Sequence, residues 1–113
     1  MMVSYEGIGL MCATFACGEI EDGALVKVSA NGTVAACAAD EVFCGVVAAR
    51  SRDMKACSVQ LGGFVTLAYT GTPTLGYCAL AANGAGGVKD SADGRECLVV
   101  AKDETAGTVT IML

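Results

Sequence analysis

The chain has 113 residues, a formal net charge of −5 and 54% hydrophobic residues, with alanine prominent among them. This length suits one domain. Its seven Lys and Arg residues are scattered and give too little positive charge to neutralise nucleic-acid phosphates or to hold an anionic membrane surface. No apolar run reaches the roughly twenty residues that span a bilayer. We therefore expect no direct nucleic-acid partner and no membrane partner.

The chain begins MMVSYEGIGLM, a short stretch that is apolar and rich in glycine. It lacks the basic segment and the long apolar segment of a secretory signal, which predicts a protein made in the cytoplasm. It is also poorly suited to a core strand. We therefore expect residues 1–14 to form an N-terminal arm that orders on a partner, or an edge segment, and residues 15–113 to form a single β domain.

Short apolar and β-branched segments separated by turn residues dominate the rest of the sequence, and windows with helical periodicity are few. The segments are ALVKV (24–28), TVAAC (33–37), VFCGVVAA (42–49), ACSVQL (56–61), FVTLAY (64–69), CLVVA (97–101) and TVTIML (108–113). This spacing predicts an all-β fold, a single small barrel or sandwich of seven or eight short strands joined by hairpins.

The dipeptide Asn-Gly between two apolar runs, as in KVSANGTV (27–34), is a strong hairpin signal because both residues tolerate positive φ. A two-residue loop mixes polar and apolar side chains on one face, whereas a three-residue loop separates them. Because a slip of one residue reverses every side chain, the register follows from the pattern. We predict a left-handed Gly32 at a bulge and the pairs Val28–Val34 and Val26–Ala36.

The second half of the chain repeats this pattern. GALVKVSANGTV (23–34) and GYCALAANGAGGV (76–88) each contain a glycine, a short apolar strand, Ala-Asn-Gly and a valine. An acidic loop and an apolar strand that ends in a basic residue follow each copy. The match predicts two hairpins with returning strands in two pseudo-repeated halves, and it leaves open whether the halves arose by duplication. The loop that contains Pro73 is expected to connect the halves, and the predicted structural turn residues are Asn31, Gly32, Asn83 and Gly84.

Residues that could carry chemistry are few. The chain has no histidine, which is the commonest general base and the usual partner of a nucleophile. Seven cysteines are an odd number without CxxC spacing, so they are best read as reduced packing residues. Cys57, two residues after Lys55, is the strongest thiol nucleophile of a weak set. We predict no catalytic residue, no cofactor and no metal; the alternative is a small metal- or ligand-binding β-barrel that uses cysteines such as Cys12 and Cys17.

Several segments together resemble a known class of protein. They are Tyr5-Glu6-Gly7, the Ile20–Val26 element, the Asn31-Gly32 hairpin, the Phe43–Val47 strand, the Ala56–Val65 stretch, the loop with Pro73 and Gly76, the Leu98–Val100 strand and the terminal Val-Thr-Ile strand. From about Tyr5 to Leu113 the chain resembles the small Ala/Gly/Val-rich decoration, or cement, proteins of tailed-phage and prophage heads. The cysteine content departs from that family.

This resemblance implies a non-enzymatic virion protein that sits on the outer capsid surface, often as a trimer, and clamps neighbouring copies of the major capsid protein. It also implies that the N-terminal arm contacts the shell, through Val3, Tyr5, Ile8 and Leu10 in this sequence. Another virion accessory, such as a tail or fibre-base protein, is the alternative within the same class.

Overall fold

The structure is a computed structural model that describes residues 11–53 and 55–113. Within these two ranges the chain forms ten β-strands and no helix, so the predicted all-β class is confirmed. The strands are β1 (Met11–Ala16), β2 (Leu25–Ala30), β3 (Thr33–Ala36), β4 (Gly45–Arg50), β5 (Ala56–Gly62), β6 (Phe64–Thr70), β7 (Gly76–Ala82), β8 (Val88–Asp90), β9 (Arg95–Asp103) and β10 (Thr108–Met112).

The ten strands form two closed five-stranded barrels, where the sequence predicted one barrel or sandwich with fewer strands. The first barrel has the order β1-β3-β2-β4-β5 and the second has the order β6-β8-β7-β9-β10. In each barrel the first and third strands are parallel and every other pair is antiparallel. The two halves therefore repeat one topology, strand for strand, as the internal sequence match predicted.

A single residue, Gly63, connects the two barrels between β5 and β6, and its φ of +90° is one that glycine adopts without strain. The prediction that the loop around Pro73 joins the halves is wrong. That loop lies inside the second barrel, between β6 and β7, where Pro73 is buried and its carbonyl accepts a hydrogen bond from Lys102 Nζ at 3.1 Å. Pro73 therefore belongs to a turn within the second barrel, and Gly63 forms the boundary between the two barrels.

The first Asn-Gly hairpin has the predicted register, with Val26 opposite Ala36 and Val28 opposite Val34, and with Gly32 at a φ of +60° beside a bulge. Val26 and Val34 are buried as expected, but Val28 is 59% exposed. Its exposure follows from the sheet, because β4 pairs with β2 only at Leu25 and Val26 and leaves the hairpin tip uncovered.

The second Asn-Gly pair also lies in a hairpin, between β7 and β8, but its loop has five residues, 83–87. The side chain of Asn83 organises this loop: its Oδ1 atom accepts hydrogen bonds from the amides of Ala85 at 2.8 Å and Gly87 at 3.0 Å. Gly84 and Gly86 have positive φ. Asn83 therefore acts as the turn residue that its type favours, in a wider turn than the first.

The two barrels pack against each other as one unit. The first barrel encloses its own cluster, built from Ile20, Val26, Val34, Val47, Cys57 and Val59. The cluster of the second barrel also includes three residues of the first half, Leu25, Phe43 and Val46. Phe43 is 1% exposed, and the guanidinium of Arg95 lies 5.6 Å from the centre of its ring. At Leu25–Val26 of β2 and Val46–Val47 of β4, both faces of the strand are therefore buried, one in each cluster.

The structure also bears on the expected boundary between arm and domain. β1 begins at Met11 and pairs with β5 along its whole length, so residues 11–14 belong to the first barrel. Residues 1–10 lie outside the described part of the chain.

A substitution at Gly45 tests how closely β4 approaches β5. A Cβ atom at this position would lie 2.8 Å from Val59 Cγ1 and still closer to the carbonyl oxygen of Gln60. We expect Gly45→Ala to lower the free energy of unfolding by about 1–3 kcal/mol, because the strands must move apart. Urea denaturation measures this change. Gly18→Ala is the control, since nothing lies within 4 Å of a Cβ there; equal effects of the two substitutions would contradict the close approach.

Candidate interaction surface

An apolar row runs across the outside of the second barrel. We define the apolar row as Phe64 of β6, Met112 of β10, Leu98 of β9 and Tyr77 of β7. These four residues are direct partners in register, Phe64 with Met112, Met112 with Leu98, and Leu98 with Tyr77. Directly paired residues share a face of the sheet, with Cβ atoms about 4.5–5.5 Å apart. The apolar row therefore crosses four strands and is about 14 Å long.

Strand alternation places the apolar row outside the barrel. Ile111 and Val99, the sequence neighbours of Met112 and Leu98, are 0% and 1% exposed and fill the interior. Because successive side chains of a strand point to opposite faces, Met112 and Leu98 point outward. Tyr77 is 70% exposed and Met112 is 38% exposed, while Phe64 and Leu98 are half-buried.

Residues around the apolar row continue a mostly uncharged surface on one side. Thr66 and Thr110, the next outward residues of β6 and β10, share a hydrogen bond of 2.9 Å between their hydroxyl oxygens. Leu75, two residues before Tyr77, is 65% exposed. On the other side Glu96 is the next outward residue of β9 and is exposed. This combination of exposed aromatic and aliphatic side chains with a polar margin is typical of protein interaction sites.

An acidic loop, residues 38–42, is held against the second barrel. The amide of Asp40 donates to the carbonyl of Ala82 at 2.9 Å, and the amide of Ala82 donates to the carbonyl of Glu41 at 3.0 Å. Asp40 forms an ion pair with Lys89, and Glu41 forms one with Lys27. The Lys27 hydrogen bond and the amide of Ala38 lower the pKa of Glu41 below its ordinary value of 4.5. The two Ala82 hydrogen bonds and the Asp40–Lys89 pair therefore connect this loop to the second barrel, while the Glu41–Lys27 pair lies within the first half.

The buried thiols of Cys57 and Cys97 are poor nucleophiles. Burial, together with the hydrogen bond to Cys17, raises the pKa of Cys57 to about 11, and Cys57 is 2% exposed. A shallow depression of about 190 Å³ lies beside it, with Arg50 and Ser58 in its lining. Burial also raises the pKa of Cys97. Because the thiolate is the reactive form, these cysteines are largely protonated and unreactive near neutral pH.

Residues 11–53 and 55–113 contain no group of three or more His, Cys, Asp or Glu side chains that could hold a metal ion. Within the same ranges, no helix is long and apolar enough to cross a membrane. Cys12 and Cys17, the cysteines named for a metal site, lie in and just after β1; Cys12 is exposed and Cys17 is half-buried.

The predicted site residues form two groups, the turn residues and the N-terminal arm contacts. The turn residues Asn31, Gly32, Asn83 and Gly84 lie at hairpin turns and take no part in the apolar row. The predicted arm contacts Val3, Tyr5, Ile8 and Leu10 lie outside the described residues. The apolar row is not visible in the sequence, because its four members come from separate strands and only the register brings them together.

Comparison with known proteins adds no assignment. No protein-family model matches the chain, and no curated protein matches it either.

The exposure of the apolar row predicts that it contributes little to folding. We expect the double substitution Tyr77→Ser and Met112→Ser to change the free energy of unfolding by no more than about 0.5 kcal/mol per site. Ile111→Ala, beside Met112 but fully buried, should cost about 2–5 kcal/mol. Chemical denaturation of the three proteins measures both effects. A large loss in the double variant would mean that the row supports the fold.

The lowered pKa of Glu41 predicts a pH-dependent contribution to stability. Its carboxylate is favoured in the folded state, so the contribution is complete above the ordinary pKa of 4.5 and is lost as the pH falls through the lower folded pKa. We expect Glu41→Gln to melt below the wild type at pH 6 and the difference to shrink as the pH falls below about 4.

Thermal melts from pH 3 to pH 7 make this comparison. The control is Glu104→Gln, which removes an exposed pair with a 3.9 Å separation from Lys102 and should leave the melting temperature nearly unchanged. A difference between Glu41→Gln and wild type that stays constant with pH would contradict the role of the Lys27–Glu41 pair.

Proposed function

We propose that this chain is a structural decoration, or cement, protein that binds the outside of a tailed-phage head and clamps neighbouring major capsid subunits. The observation that carries the proposal is the apolar row, an uncovered aromatic and aliphatic surface on the outer face of a closed barrel. The protein works by docking, without transforming a substrate, and needs no cofactor.

The two closed barrels suit this function. A β protein that must stay apart from its own copies until it meets a shell has to avoid pairing through exposed strand edges. In the described chain each sheet closes on itself, which leaves side chains rather than backbone to make contacts. Tyr77 and Met112 are the exposed members of the apolar row, and both residue types are enriched in the desolvated centres of interfaces.

The size of the apolar row fits a protein that binds in many copies. Four side chains in a row about 14 Å long present much less surface than the roughly 800 Å² that each partner buries in a stable interface. One row therefore supports only weak binding. Trimeric association and bivalent contact with neighbouring capsid subunits raise the total affinity without any new kind of contact. The N-terminal arm, with Val3, Tyr5, Ile8 and Leu10, supplies further apolar side chains for the shell.

The remaining parts of the proposal rest on the net charge and on the family resemblance. The net charge of −5 opposes direct contact with the packaged nucleic acid and with membranes. The resemblance to head decoration proteins implies the rest: a place on the outer capsid surface of the virion, synthesis in the cytoplasm of a bacterial host, and the major capsid protein as partner.

Binding to purified phage heads tests the proposal. Wild-type protein is mixed with expanded heads assembled from the capsid protein encoded beside it, and cryo-electron microscopy and thermal melting follow the mixture. We expect added density on the outer surface and a higher melting temperature of the heads. The double variant Tyr77→Ser and Met112→Ser should lose at least tenfold in affinity, which corresponds to about 1.4 kcal/mol.

Val28→Ser is the matched control, because Val28 is an exposed valine on the hairpin tip of the first barrel, away from the apolar row. It should bind like the wild type. Absence of binding to the heads overturns the proposal, and binding to purified tails instead would assign the chain to a tail or fibre-base accessory. Equal binding by the double variant would exclude the apolar row as the docking surface.

A further inference from the structure

The cysteines of the two barrels are arranged in pairs that the sequence does not reveal. In the second barrel, Cys78 of β7 and Cys97 of β9 are direct partners in register. In the first barrel, Cys17, which follows β1, and Cys57 of β5 are joined by a hydrogen bond between their thiols. Each barrel therefore holds one pair of neighbouring thiols.

The backbone positions of Cys78 and Cys97 suit a disulfide. Directly paired residues of antiparallel strands have Cα atoms about 4.5–5.5 Å apart, which lies within the roughly 4.4–6.8 Å that disulfides span. The two thiols now make only weak contacts with backbone carbonyls, Cys78 with Ala79 at 3.8 Å and Cys97 with Arg95 at 3.6 Å. Rotating the two side chains toward each other breaks only these weak contacts.

The first-barrel cysteines form a diagonal pair across β1 and β5 rather than a direct one. The amide of Cys17 donates to the carbonyl of Lys55 at 2.9 Å, which continues the β1–β5 pairing one residue beyond Ala16 and Ala56. Cys57 pairs directly with Phe15, two residues before Cys17, so the side chains of both cysteines are on one face. As diagonal partners they have Cα atoms about 7–8 Å apart and Cβ atoms somewhat closer. Closing this bond therefore needs a small backbone shift that the direct pair Cys78–Cys97 does not need.

A third pair of cysteines, Cys37 and Cys44, is close in sequence but unsuited to a disulfide bond. The amide of Cys37 donates to the carbonyl of Leu25, and the amide of Cys44 donates to the carbonyl of Val26. These two residues therefore flank β2 on opposite sides, about two strand spacings or 9.6 Å apart. That separation exceeds the Cα distance of a disulfide.

We propose that Cys78–Cys97 and Cys17–Cys57 are two dithiol sites that close as intramolecular disulfides in oxidising surroundings, one bond in each barrel, and that Cys12, Cys37 and Cys44 stay free. The two bonds stabilise the barrels, since they close loops of about 20 and about 40 residues. This inference is independent of the proposed function.

The chemistry is thiol–disulfide exchange with a small disulfide such as oxidised glutathione. The thiolate of the more accessible cysteine, Cys78 or Cys17, attacks one sulfur of glutathione disulfide, forms a mixed disulfide and releases one glutathione thiolate. The thiolate of its partner then attacks the protein sulfur of that mixed disulfide and releases the second glutathione. Two electrons pass from the protein to glutathione, and the two thiol protons end on the two glutathione thiolates.

The buried cysteine of each pair, Cys57 or Cys97, limits the rate at which the disulfide forms. Burial raises the pKa of Cys57 to about 11 and also raises the pKa of Cys97. Because only thiolates attack, the second step is slow near neutral pH, and closure should accelerate as the pH rises from 7 to 9. Reduced protein in a reducing cytoplasm is thus protected against accidental closure.

Mass spectrometry of the full chain tests the proposal. Reduced protein is incubated with oxidised glutathione at pH 8, the remaining thiols are alkylated, and the intact mass and the cross-linked peptides are determined. We expect a loss of about 2 Da per bond, peptides that link 78 with 97 and 17 with 57, and alkylation at the other three cysteines. The oxidised protein should melt roughly 10 °C higher, and a phosphine reductant should reverse the change.

Single substitutions separate the two sites. In Cys97→Ser, Cys78 should end as a stable mixed disulfide with glutathione, while the 17–57 bond still forms. Because a buried hydroxyl at position 97 can unfold the chain, Cys78→Ser is made as well; its residue is half-buried, and it should likewise lose only the 78–97 bond. Cys12→Ser, at an exposed cysteine without a cysteine partner in register, is the control and should behave like the wild type.

Three results would overturn the proposal. One is a folded wild-type protein in which Cys78 and Cys97, or Cys17 and Cys57, remain separately alkylated or separately glutathionylated after oxidation. Another is a bond between other cysteines in the folded protein. The third is formation of both bonds without a higher melting temperature, which would remove their stabilising role. None of these results bears on binding to phage heads, so the two proposals fail independently.

Discussion

Each half of this molecule depends on the pairing of its first strand with its last. The β1–β5 and β6–β10 pairs close the two sheets, and each extends over most of both strands. Closure leaves no strand of the described chain at an open sheet edge, where unpaired amides and carbonyls would invite other chains. It also fixes which side chains enter the barrel, because the register of a closed sheet cannot slip without disturbing every pair.

The narrow interior of a closed five-stranded barrel explains why the chain is rich in small residues. A five-stranded barrel has a narrow interior, and the chain fills it with valine, alanine, cysteine and a few larger side chains. Close approach of strands is possible because glycine occupies the tightest points, such as Gly45 against β5 and Gly94 against β7. Cysteine serves here as a small apolar residue, and the same inward positions that bury its side chain bring two pairs together.

The sequence predicted the local features well. The all-β class, the register of the first hairpin and the repeat of two halves follow from alternation, from Asn31-Gly32 and from the matched segments at residues 23–34 and 76–88. The number of barrels did not follow, because the segment MCATFA of β1 has no clear apolar pattern and its first four residues are expected from the sequence to lie in an N-terminal arm or edge segment. The boundary at Gly63 was also missed, since a single glycine gives a weaker signal than the proline-containing loop.

The interaction surface was beyond the sequence for a different reason. Its members are spread from Phe64 to Met112, and each taken alone reads as an ordinary strand residue. Only the relative register of β6, β10, β9 and β7 sets them side by side. The Cys78–Cys97 pair depends on the same kind of information. Long-range register is decided by the packing of the whole barrel, so it is not encoded in any short segment.

The position of the chain ends has a practical consequence. Met11 pairs with Gly62, and the amide of Leu113 donates to the carbonyl of Gly63 at 2.9 Å, so both ends of the described chain meet at the linker between the barrels. A peptide fused after Leu113 starts beside Phe64 and Met112, two members of the apolar row. A fluorescent label or affinity handle belongs instead in the exposed turn at residues 104–106, about 17 Å away at the far end of β10.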